Sequence, residues 1–227
     1  MKLSGAALAD KAGAPLEPAR VAFVAGEVAA ARDAGAQVAV VMGGGNVVRG
    51  REAADLGWPQ TTVDYMGMLA TTVNGLALRE GLAVRGCPAV VLNAFDVGEC
   101  CETYRRERAL QILEDGAVVV FTGGTGRPFF STDTAAALRA CEVGAEVLLK
   151  ATDVPGVFDR DPRGDAAAVR YDKLSYDEVL ARGLGVMDAA AAALCRERRL
   201  PCIVFHLYDP GNIVKIIQGQ TVGTYVG

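Results

Sequence analysis

An α/β sandwich built on a mainly parallel sheet is the fold this chain predicts, and three observations carry that prediction. Short, continuous apolar runs alternate with longer stretches of helical pattern. The runs lack the polar alternation of a half-exposed strand, as strands covered on both faces should. The helical stretches repeatedly end at a glycine, which suits a left-handed C-terminal cap.

Taken in order, Pro18–Ala34 reads as a helix closed by Gly35, and Gln37–Met42 (QVAVVM) as a buried strand. Val63–Val84 is a helix closed by Gly86, and Ala89–Leu92 the next strand. Tyr104–Asp115 is a helix stopped by Gly116, followed by the strand Ala117–Phe121 (AVVVF). Thr132–Val143 is a helix stopped by Gly144, then comes the strand Glu146–Leu149. Tyr176–Arg182, ending at Gly183, and Ala189–Arg198 are the last helices, and Cys202–Phe205 the last strand. The charged segment Asp159–Ala168, which carries Pro and Gly, is an exposed loop. With no internal repeat and no long polar linker, the chain reads as one domain with two lobes.

Composition narrows the function. The 227 residues are long enough for a sizeable core, and 51% hydrophobic with 22% charged residues excludes a disordered chain. Lys+Arg 23 against Asp+Glu 27 gives −4, so there is no bulk positive field for coating nucleic acid. The longest uncharged stretch, Ala34–Val48, is fifteen residues and broken by glycines, too short for a spanning helix. Leu3–Ala9 is likewise short for a secretory signal and contains Ser4 and Gly5. Six cysteines without a CxxC pair read as thiols in a reducing cytosol, and no metal site is singled out.

Three clusters carry chemistry. Gly43-Gly44-Gly45-Asn46 leaves a strand and is followed by Arg49; without Cβ atoms its N–H groups can close on phosphate oxygens. It is neither a Walker A loop nor a GxGxxG fingerprint, and a plain tight turn is the bland alternative. The second, Gly123–Thr134 (GGTGRPFFSTDT), leaves a strand and opens a helix, so Ser131, Thr132 and Asp133 can cap that helix or help it receive an anion. Two such loops at strand C-terminal ends share one edge of a parallel sheet, where open α/β folds bind ligands. In the third, Lys150–Pro162, a lysine at the carboxyl end of a buried strand needs an anion. Asp161 can cap the loop, or hold a ribose hydroxyl or a metal-bound water. Asp188 precedes a helix as an N-cap.

The blocks KLSG (2–5), VVMGGGNVVRG (40–50), DYMGMLATTVNGLAL (64–78), GGTGRPFFSTDTAAALRA (123–140), LLKATDVPGVFDRDP (148–162), KLSYDEVL (173–180) and GVMDAAA (185–191) together resemble the bacterial-type uridylate (UMP) kinases, members of the amino-acid-kinase fold family. Their order and spacing match nearly end to end. The resemblance implies a three-layer α/β/α sandwich with an acceptor lobe of about 1–145 and an ATP lobe of about 146–227. It also implies transfer of the γ-phosphoryl of ATP to UMP with Mg²⁺, in pyrimidine nucleotide biosynthesis in the cytoplasm. A homohexamer with GTP as activator and UTP as inhibitor goes with it, and no nucleic acid or membrane partner.

By that resemblance Lys2, Leu3, Ser4, Gly5, Gly45, Arg49, Thr152, Phe158 and Asp161 serve ATP. Gly44, Asp64, Thr125, Gly126, Arg127, Pro128, Phe129, Phe130, Ser131 and Thr132 serve UMP. Lys2 and Lys150 meet the transferred group, with Asp133 and Asp188 as organisers of the lysines. Four departures stand out: Ala6 for the usual Glu, Arg127 for Asn, Pro155 for Asp, and Tyr208-Asp209 for Asn-Lys before Pro210-Gly211. Family members also carry a strand before KLSG, whereas only Met1 precedes Lys2 here. The expectation is a first strand missing or truncated and a Lys2 without a rigid element to hold it. A non-catalytic protein holding nucleotide or oxyanion on the same fold is the alternative; carboxylate or carbamate acceptors are disfavoured, because Asp64 would repel them.

Overall fold

The computed structural model describes residues 1–10, 14–48, 57–165 and 167–227. They fall into two compact units: residues 3–132, and residues 1–2 with 133–227. The boundary in sequence lies at Thr132/Asp133, whereas the lobe change was expected near residue 145. Strand β1 (Lys2–Leu3) gives one residue to each unit.

In the 3–132 unit, β2 (Ala39–Met42), β3 (Ala89–Asn93), β4 (Glu102–Thr103) and β5 (Val118–Thr122) form the order β4-β3-β5-β2, every pair parallel. The Leu3 carbonyl accepts from Gly43 N–H at 2.8 Å at the end of β2. Around these strands run α1 (Pro18–Asp33), α2 (Gln60–Ala83) and α3 (Arg106–Glu114). Burial explains α1: Val24, Ala25, Val28 and Ala31 recur at helical spacing, Pro18 stands in its first turn, and Arg32 donates to the Gly116 carbonyl at 2.7 Å. All five residues of β5 are buried, as a central parallel strand requires.

In the other unit, Lys2 of β1, β6 (Leu148–Thr152), β8 (Cys202–His206), β9 (Thr224–Val226) and β7 (Lys173–Leu174) lie in that order. All neighbours are parallel except β8 and β9. The helices are α4 (Thr132–Val143, all but its first residue in this unit), α5 (Tyr176–Arg182), α6 (Ala189–Arg198) and α7 (Asn212–Ile217). Ser175 and Glu178 form a reciprocal capping box at α5, which holds the Glu178 carboxyl below the usual range through the Ser175 N–H and hydroxyl.

Gly35, Gly86, Gly116, Gly144 and Gly183 all take positive φ at helix ends, as expected. Two expectations are corrected. Strand β6 is displaced two to three residues from Glu146–Leu149, so Lys150 is its middle residue and not its exit. Lys2, expected to lack a rigid support, is itself a strand residue registered with Lys150.

Candidate active site

The 1–2/133–227 unit brings four of the expected residues together. Because Lys2 and Lys150 are register partners on parallel strands, their side chains leave the same face of the sheet. Two ammonium groups so close repel each other unless an anion stands between them. Asp133, in the first turn of α4, is that anion: its Oδ1 is 3.0 Å from Lys2 Nζ and its Oδ2 2.7 Å from Lys150 Nζ. The three side chains are 13–17% exposed, so the pairs are screened less than surface ones. Lys150 also donates to the Val186 carbonyl. The triad keeps a net positive charge at a helix N-terminus, an arrangement that attracts anions.

Asp188 supports this cluster from beneath. Its carboxylate caps α6, accepting from Ala191 N–H at 3.0 Å, and takes the Thr134 hydroxyl at 2.9 Å. Thr134 follows Asp133 in α4, and Asp188 lies two residues beyond Val186. The one carboxylate therefore ties down both the segment bearing the bridging Asp133 and the carbonyl that receives Lys150. Farther along, the Thr152 hydroxyl bonds the Val154 carbonyl at 2.7 Å at the end of β6. Phe158 is half-buried and bridged to Arg170. Asp161 is exposed and pairs with Arg163 at 3.0 Å, whose hydrogen bond holds its carboxyl below the usual range.

The 3–132 unit holds a cavity of about 420 Å³. Gly44, Gly45, Asp64, Arg127, Phe130, Ser131 and Thr132 line it, together with Val63, Gly67, Met68, Thr71 and Gly124. Close approach of α2 makes the wall: a Cβ on Gly44 would lie 2.5 Å from the Gly67 carbonyl oxygen and 3.1 Å from Thr71 N. Gly123, at φ 74°, could carry a Cβ only 2.8 Å from Asn93 Oδ1. Asp64 accepts from Gln60 Nε2 and from the Phe129 N–H, each at 2.7 Å, and so anchors the 125–131 loop. Phe129 needs that anchor, since φ 71° is unfavourable for a side chain with a Cβ. Thr125, Gly126, Pro128 and Phe129 shape this loop without lining the cavity, and Thr125 Oγ1 accepts from Arg127 N–H at 3.2 Å.

Ser4 caps the 3₁₀ turn Gly5–Ala7 through Ala6 N–H at 3.3 Å. Leu3 is fully buried, which leaves only its backbone for a ligand. Gly5 packs under Asn46, whose Oδ1 would lie 2.1 Å from a Cβ there. Arg49 lies outside the described residues.

Sequence reasoning missed the buried polar layer under the cavity. Asn74, with no exposed surface, donates to the Gly43 carbonyl and to Asn46 Oδ1, each at 2.7 Å. Thr71 takes the Gly123 N–H at 2.7 Å, and Asn93 Oδ1 takes the Thr72 and Thr122 hydroxyls at 2.9 and 2.8 Å. The available signal was Thr71, Thr72 and Asn74 on the inward face of a helix, where burial demands partners.

Among the described residues no helix is long and apolar enough to cross a membrane. No group of three His, Cys, Asp or Glu gathers there that could hold a metal ion.

Comparison with known proteins places this geometry. The model of the amino acid kinase family matches residues 1–206. A uridylate kinase of Xanthomonas campestris pv. campestris is 47% identical over 226 residues, covering 100% of this chain and 94% of the relative. Among solved structures, UMP kinase from Bacillus anthracis aligns with a TM-score of 0.97 at 37% identity, over 100% of this chain and 93% of the other. The Ureaplasma parvum UMP kinase gives 0.93 at 32%, over 100% and 96%.

Proposed function

The chain belongs to the amino acid kinase family, and from that premise we propose that it is a UMP kinase, transferring the γ-phosphoryl group of ATP to the phosphate of UMP. The observation that carries the reading is the Lys2–Asp133–Lys150 triad. Phosphoryl transfer needs little covalent help from the protein; it needs alignment and neutralisation of charge on the in-line oxygens. Two ammonium groups held by one carboxylate supply that charge without reorganisation. The acceptor phosphate is itself an anionic nucleophile, so no dedicated general base is required.

The glycine-walled cavity of the 3–132 unit is the proposed UMP site. There Asp64 accepts sugar hydroxyls and the 125–132 segment wraps the nucleotide. Lys2, Ser4, Gly5, Gly45, Thr152, Phe158 and Asp161 are proposed for ATP. Mg²⁺ belongs to this reading as part of the nucleotide complex, its charge neutralising phosphate oxygens. Such an ion would be held in large part by the substrate phosphates.

Cytoplasmic pyrimidine nucleotide synthesis, GTP activation and UTP inhibition are proposed from the resemblance alone. The proposed hexamer has one further support: Tyr65, Leu69 and Val73, spaced four residues apart along α2, are 44–49% exposed, an apolar stripe suited to self-association. The test is ADP release with ATP·Mg²⁺ and UMP, CMP, carbamate or acetylglutamate offered in turn. Release that depends on UMP is the expected result. Nucleotide binding with no release for any acceptor would instead establish the non-catalytic alternative.

A further inference from the structure

The single histidine of the chain stands on the same sheet face as the two lysines. Register pairs Lys2 with Lys150, Lys150 with Val204, and Thr152 with His206. Partners on adjacent strands, and residues two apart on one strand, share a face. Lys2, Lys150, Thr152 and His206 therefore project to one side, with His206 at the carboxyl end of β8. Two residues along a strand and one strand across put its Cα about 8 Å from that of Lys150.

The end of β8 is firmly held. Leu207 N–H donates to the Thr152 carbonyl and Asn212 Nδ2 to the His206 carbonyl, each at 3.0 Å. The imidazole is oriented as well: Nδ1 is 3.0 Å from Asp209 Oδ1, and the Tyr208 ring meets it edge-on at 5.8 Å. A carboxylate only accepts, so in the neutral ring the proton sits on Nδ1 and Nε2 carries the lone pair. Among the described residues no side chain occupies Nε2, and His206 is 25% exposed. The orienting carboxylate is one of this chain's own departures, Asp209 standing where the resembling kinases have Lys.

We propose that His206, oriented by Asp209, recognises the nucleoside part of the donor nucleotide, its Nε2 accepting a hydrogen bond from the exocyclic amino group of adenine or from a ribose hydroxyl. This rests on the kinase reading, which puts ATP on the Lys150–Thr152 strand. The phosphates are the wrong partner for two reasons. A lone pair repels phosphate oxygens, which are acceptors too. The lysines already mark the phosphoryl end, and His206 lies farther along the strand direction, beyond them.

The test is calorimetric titration of the full chain with ATP, with inosine triphosphate, which replaces the amino group by an oxygen, and with 2′- and 3′-deoxy-ATP. His206→Ala should weaken ATP about five- to tenfold, the worth of one hydrogen bond. The analogue lacking the relevant donor should bind wild type and variant within about twofold of each other, and that analogue identifies the contact. His206→Gln, which restores an acceptor, should recover part of the loss, and Asp209→Asn should weaken ATP less than His206→Ala does. If His206→Ala does not fold, His206→Phe keeps the ring packing and answers the same question. Equal weakening of ATP and all three analogues would make His206 structural only, and unchanged binding of all would remove it from the site. Wild-type protein that binds ATP yet releases no ADP with UMP overturns the kinase reading while leaving the titrations decisive. Wild-type protein that binds no ATP overturns both.

Discussion

The charged cluster and the cavity are built on opposite principles. Around Lys2 and Lys150 the structure is organised by full charges, three side chains linked through two ion pairs. Around the cavity it is organised by shape: glycines that admit no Cβ, and neutral amides and hydroxyls satisfied beneath them. Charge placed in advance lowers a barrier, while shape selects what enters. Substitutions in the two regions should therefore fail differently, the first in turnover and the second in binding or stability.

The largest expected effect is on turnover. Lys150→Met or Lys2→Met should lower kcat by about 100- to 1,000-fold, the usual cost of removing one preorganised charge partner. The KM for UMP should move by no more than about threefold, since neither lysine lines the cavity. Steady-state kinetics with both substrates decides it. Unchanged turnover in both variants would break the assignment of charge chemistry to this cluster.

Next comes the cavity wall. Gly44→Ala forces a methyl to within 2.5 Å of the Gly67 carbonyl oxygen, whereas a Cβ on Gly45 meets nothing within 4 Å. The first substitution should cost about 1–3 kcal/mol of stability and abolish measurable UMP binding, the second little of either. Thermal melts and UMP titration of the pair test the claim that shape governs here. Equal behaviour of the two variants would refute it.

Below the wall, Asn74→Leu removes the side-chain donor to the Gly43 carbonyl and leaves the Asn46 amide only its bond to the Pro15 carbonyl. The expected loss is about 1–3 kcal/mol, read from chemical denaturation. A smaller cost, about 1 kcal/mol, is expected for Asp188→Ala through loss of the α6 cap. Asp188→Asn should keep that stability, because Asn caps as well, yet lower kcat by weakening the hold on the lysine cluster.

The sequence carried these two regions unequally. Helices 132–143, 176–182 and 189–198 were legible to the residue, because capping residues and glycines mark their ends. Strands Glu102–Thr103, Lys173–Leu174 and Thr224–Val226 were not, since two or three residues define a strand only through their partners. Lys150 was misplaced because the apolar run stops at Leu149, while the strand continues through alternating Lys150, Ala151 and Thr152. The Lys2–Asp133–Lys150 contacts join distant parts of the chain, so only resemblance hinted at them. Asn74 showed only as a polar residue on the inward face of its helix, and the His206–Asp209 pair had no local signature.

The smallest effect tests whether the lysine-bearing unit is governed by charge throughout. Under its charged face lies a neutral but titratable core: Cys195, Cys202 and Tyr176, all buried, with the Tyr176 hydroxyl donating to the Leu200 carbonyl at 2.7 Å. Burial pushes the Cys195 thiol up to about 11, and raises Cys202 and Tyr176 as well. A raised folded-state value for an acid means that the unfolded chain gives up its proton first. The stabilisation is thus complete below about pH 9, where the unfolded thiol is still protonated, and is lost as pH rises toward the folded value. At pH 10 the Cys195 share of that loss should be about 1 kcal/mol. Melting temperatures of wild type and Cys195→Ala from pH 7 to 10.5, in reductant, should therefore converge as pH rises, the variant starting lower because of its cavity. Parallel curves would mean that the thiol stays protonated in both states or reaches solvent, and the contrast between a charged face and a neutral core in this unit would have to be abandoned.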